Sequence, residues 1–108
     1  GGAVTITNYR DLAVWSKAMA VAKAVYGLSE LMPKKEEYRL TAQMVRAAIS
    51  VPANIAEGRT RATRKDFAHF ISIARGSAAE LETLLILAMD IQFLERAKVA
   101  PVLADVEE

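Results

Sequence analysis

A chain of 108 residues without cysteine excludes a disulfide scaffold and any thiolate metal site, and a reducing cytoplasm is the expected compartment. A formal charge of +1 marks no strong polyelectrolyte, so any affinity for nucleic acid must come from where the charges sit. Hydrophobic residues at 53%, with five Gly and three Pro, predict one all-α domain over 9–108; no apolar run approaches the roughly 20 residues of a membrane span, and no signal-like block opens the chain.

Gly1 and Gly2 read as a cloning remnant, and residues 1–8 as an extended lead-in ending at Asn8, a good N-cap, with Asp11 adding negative charge to the first turn. The first helix is predicted from Tyr9 to Leu31. It carries two apolar stripes, one through Leu12, Trp15, Met19, Ala22 and Tyr26, the other through Val14, Ala18, Val21, Val25, Leu28 and Met32. That arc is wider than a small monomer needs, so Val14, Trp15, Ala18, Val21 and Val25 are candidates for a subunit interface; alternatively they close the core. Pro33 breaks this helix, and a second is predicted from near Glu36, with Glu36 and Glu37 complementing its dipole, through to Glu57.

Within the second helix, Gln43, Arg46, Ser50, Asn54 and Glu57 recur at steps of three and four, which places all five on one stripe while Met44, Ala47, Ala48, Val51 and Ile55 occupy other sides. The helix is expected to be mostly buried. Its polar stripe then either forms a structural network that registers a bundle or lines a ligand or nucleic-acid groove, and Glu80 is a candidate partner for Arg46. Pro52 predicts a kink rather than a stop, and Gly58 a C′ residue beyond the helix end.

Arg59, Arg61, Arg64 and Lys65 place four cations within seven residues, unbroken by an acid, with His69 one turn further on. This is the best electrostatic footprint for phosphate in the chain, although a solvated helix entrance is the alternative. Thr63 and Asp66 loosely match a capping box for a third helix from Arg64 to Gln92, whose Gly76 implies close helix approach. A short fourth helix is predicted over 95–106; with Pro101 inside that span, it either starts near Pro101 or kinks there.

Ser50, Pro52, Asn54, Ile55, Ala56, Glu57 and Gly58, together with Gly76, Ser77, Glu80, Leu81 and Glu82, form two specific combinations. With Leu12, Trp15, Ala18, Met19, Tyr26, Pro33, Gln43, Arg46, Phe67, Phe70 and Ala74, they make the chain resemble the small bacterial family encoded by intervening sequences of 23S ribosomal RNA genes, the S23-type proteins. The resemblance implies an up-and-down four-helix bundle, here with a kinked second helix and a short fourth, assembled as a homopentamer. Kinship with the accessory protein of diversity-generating retroelements further implies RNA or DNA binding.

Catalysis is the poorest reading, because the lone His69 has no partner pattern for acid–base or metal chemistry and Glu80 and Glu82 point to different sides of a helix. No cofactor and no metal are expected. The leading expectation is a non-enzymatic oligomer that contacts nucleic-acid phosphates through Arg59, Arg61, Arg64, Lys65 and His69; the alternative is a scaffold for a protein partner with no nucleic-acid role.

Overall fold

The computed structural model describes residues 9–107, with side chains from Leu12 onward. The expected lead-in, the Asn8 cap and the Asp11 side chain lie outside the described residues. Four helices follow one another: α1 (Tyr9–Ser29), α2 (Leu40–Arg59), α3 (Arg64–Asp90) and α4 (Arg96–Glu107), with a 3₁₀ turn at Lys34–Glu36. Each helix packs on its neighbour in sequence and α4 closes on α1, which is the up-and-down arrangement of a four-helix bundle. No strand occurs among the described residues.

The core follows the period of each helix. Val21, Ala22, Val25 and Leu28 of α1 meet Met44, Ala47 and Ala48 of α2, Leu81, Leu85 and Ala88 of α3, and Val99 and Val102 of α4. A smaller cluster, Ala18, Ile55 and Ala74 with Trp15, Val51 and Ile71 against it, lies toward the other end. Ala18, Val21 and Val25, expected at a subunit interface, are therefore buried inside their own bundle. The arc on α1 is wide because α1 serves two neighbours, α2 and α4. Of the five candidates only Val14 is exposed, and Trp15 is half-buried on the smaller cluster.

Several boundaries differ from expectation for local reasons. The second helix begins at Leu40, four residues late, because the chain from Pro33 makes a 3₁₀ turn closed by Glu36 N–H to the Pro33 carbonyl at 2.9 Å. Glu36 does not sit in the first turn of α2 but just before it. Buried there, its carboxylate accepts the Leu40 N–H at 3.3 Å and pairs with Arg39 at 3.5 Å, so it caps the helix from outside. At the end of α3, Gln92 takes φ 64°, the Gln92 N–H bonds the Met89 carbonyl and the Phe93 N–H bonds the Ala88 carbonyl, both at 2.9 Å. That is a Schellman stop two residues before the expected end, built without glycine.

Pro52 and Pro101 both lie inside helices. Pro52 does not stop α2, as expected. α4 does not begin at Pro101; it starts at Arg96, and the burial of Val99 and Val102 on either side of the proline holds the turn together despite the missing donor.

Candidate functional site

The link between α2 and α3 gathers the basic residues at one end of the bundle. Gly58 is not a left-handed residue beyond the helix; it is helical, buried, and one residue inside the end of α2 at Arg59. A Cβ built there would come within 3.1 Å of Phe70 Cβ and 3.4 Å of a Phe67 ring atom, so glycine is needed for close approach to the first turns of α3. Thr60 closes α2 instead, with its hydroxyl donating to the Glu57 carbonyl at 2.7 Å. Thr63 then caps α3, its hydroxyl accepting the Asp66 N–H at 3.1 Å; the reciprocal bond from Asp66 is not made, since aspartate is one methylene shorter than the usual partner.

This tight corner folds two phenyl rings back under two arginines. The Arg59 guanidinium lies 4.9 Å from the Phe67 ring centre and that of Arg61 lies 4.5 Å from Phe70, while His69 meets the Phe70 ring edge-on at 5.3 Å. Arg61 also pairs with Glu57 at 3.3 Å. Partial burial lowers the Arg59 pKa from its ordinary value, although the guanidinium remains charged. Arg59, Arg61 and Arg64 surround a recess of about 240 Å³ floored by Gly58, Ala62, Thr63 and Phe67. Lys65 and His69, both exposed, do not line it. The aromatic pairing was missed in the sequence because Phe67 and Phe70 follow the basic run instead of interrupting it; their placement one turn into the capped helix was the available signal.

The polar stripe of α2 divides. Ser50, Asn54 and the unanticipated Ser77 of α3 form its inner part: the two serine hydroxyls are 2.7 Å apart, and the Asn54 amide donates to the Ser50 hydroxyl at 2.9 Å and to its carbonyl at 2.8 Å. The rest is exposed rather than buried. Arg46 donates to Gln43 at 3.4 Å, Glu57 turns to Arg61, and among the described residues no ion pair joins Arg46 to Glu80, which is itself exposed. Arg46, Ser50 and Asn54 line, with Ala42, Val45, Ile49 and Ala53, a shallow groove of about 650 Å³ along the outer face of α2. Gly76 is exposed, and a Cβ there would meet nothing within 4 Å, so the expected close helix approach is absent within the chain.

Among the described residues no helix is long and apolar enough to cross a membrane, and no three His, Cys, Asp or Glu side chains converge as a metal-binding group. No curated protein matches the chain. A crystal structure of a protein of unknown function from the S23 ribosomal protein family of Bacteroides thetaiotaomicron superimposes with a TM-score of 0.83 at 24% identity, covering 90% of this chain and 88% of that one, and so is similar in fold. The family model for 23S rRNA-intervening sequence proteins matches residues 10–108, nearly the whole bundle, and the chain belongs to that family.

Proposed function

We propose that this protein binds RNA or DNA through the α2–α3 corner, as a non-enzymatic, oligomeric member of its family. The observation that carries the reading is the arrangement of Arg59, Arg61 and Arg64 around one recess at the start of α3, with Lys65 beside it in sequence. Stacking on Phe67 and Phe70 seats two guanidinium groups at the corner, that of Arg61 also paired with Glu57, while Arg64 and Lys65, both exposed, reach outward. Such contacts are to phosphate, and binding is expected to be largely independent of sequence.

The experiment must spare the corner itself. Replacing Arg59 or Arg61 removes packing on a phenyl ring as well as charge, so Arg64→Ser with Lys65→Ser is the cleaner variant. Fluorescence anisotropy of labelled single- and double-stranded RNA and DNA is expected to show weaker binding by roughly tenfold or more, with the melting temperature unchanged, if two phosphate contacts are lost. Unaltered affinity in this variant would contradict the proposed site.

A second reading, self-association, is favoured by the outer groove of α2. Its lining mixes apolar Ala42, Val45, Ile49 and Ala53 with polar Glu37, Thr41, Arg46, Ser50 and Asn54, and Ile49 is 43% exposed upon it. The homopentamer expected from the resemblance is proposed to use this face rather than α1. Ile49→Asp, which changes no buried core residue, is expected to reduce the native mass measured by light scattering while leaving helicity intact; an unchanged oligomer would remove α2 from the interface.

A further inference from the structure

The core is not continuous. Between its larger cluster, which includes Val21 and Leu81, and its smaller one, which includes Ala18 and Ile55, lies an apolar cavity of about 120 Å³ bounded by all four helices. Two small side chains leave the space, Ala18 on α1 and Ala78 on α3, and Val51 and Ile55 of α2 complete its wall. Near the end of α4 the lining changes character: half-buried Lys17 and exposed Asp105 are its charged members. The pocket is half open, and its volume is comparable with the roughly 150 Å³ of cavities that accept benzene.

We infer that this cavity is a binding site for a small neutral ligand with a six- or seven-carbon apolar body and one hydroxyl, of which phenol is the simplest probe. The body fills the space left by Ala18 and Ala78, and the hydroxyl sits at the charged edge of the lining, where it donates to the Asp105 carboxylate. The site is separate from the basic corner: none of the residues around that recess lines the cavity, so occupancy and nucleic-acid binding are distinct properties.

The test is methyl-detected NMR of the intact protein in its native assembly, titrated with phenol and with benzene. Saturable shifts are expected at Val21, Val51, Ile55 and Leu81, with phenol bound about tenfold tighter than benzene through its one additional hydrogen bond. Asp105→Ala, a surface change, is expected to bring phenol down toward benzene, and Ala78→Leu, which fills the cavity, to abolish both responses. No saturable shift with either probe would overturn the inference. So would shifts confined to methyls outside the cavity, or binding that survives Ala78→Leu in a variant shown by circular dichroism to be folded.

Discussion

Two glycines with the same helical conformation have opposite surroundings, and the difference can be read in stability. At Gly76 a Cβ meets nothing within 4 Å, so Gly76→Ala adds no clash and removes the entropic penalty of glycine in a helix. Chemical denaturation is expected to show a gain of about 0.5–1 kcal/mol. At Gly58 the same change brings a Cβ to 3.1 Å from Phe70 Cβ, an atom fixed directly to the α3 backbone, so the helices must separate slightly. Gly58→Ala is therefore expected to destabilise by about 1 kcal/mol or more despite the better propensity of alanine. A gain at Gly58 equal to that at Gly76 would mean that the corner is not tightly packed. Sequence alone assigned the two glycines the wrong way round: Gly58 looked like a helix end and Gly76 like a close approach, because a glycine's reason depends on what faces it.

At the scale of the element, α4 is the least self-sufficient helix. It has 12 residues and carries Pro101 in its interior, and it is held by Val99 and Val102 in the core, with Leu103 and Val106 partly buried against it. Pro101 is exposed, so its ring contributes little packing in return for the lost hydrogen bond. Pro101→Ala is expected to raise the melting temperature, with a stabilisation on the order of 2 kcal/mol once the looser unfolded chain is allowed for. No change would imply that the helix already adapts to the proline without loss. The existence and order of the four helices were legible from the apolar period and from Pro33 and Thr63, which mark real boundaries. What was not legible came from tertiary context. The start of α2 depends on a buried carboxylate, Glu36, reaching forward to Leu40, and the end of α3 depends on Gln92 adopting a conformation that its residue type disfavours.

At the scale of the whole molecule, the bundle extends 48 Å along its longest axis, and its two proposed surfaces occupy different parts of it. The basic corner sits at the α2–α3 end, and the groove runs along the outer side of α2. The basic run itself was visible in the sequence, but not that its first two arginines would be seated on phenyl rings. Of the α1 residues expected at an interface, Ala18, Val21 and Val25 belong to the core instead, because hydrophobic width reports how many neighbours a helix has, not whether they belong to another chain. Symmetric assembly around the α2 groove would present several basic corners at once, turning a cluster of four cations into a multivalent surface.

The salt dependence of nucleic-acid binding tests the central claim most directly. Affinity of the wild-type protein for a labelled single strand and a labelled duplex should be measured by anisotropy from low to physiological salt. Phosphate contacts through Arg59, Arg61, Arg64 and Lys65 are expected to give a log–log slope of about −0.9 per phosphate contact on the duplex and about −0.7 on the single strand, up to four contacts per protomer, and a shallower slope in the Arg64→Ser, Lys65→Ser variant. Absence of binding at low salt, or binding whose affinity does not change with salt, would contradict it.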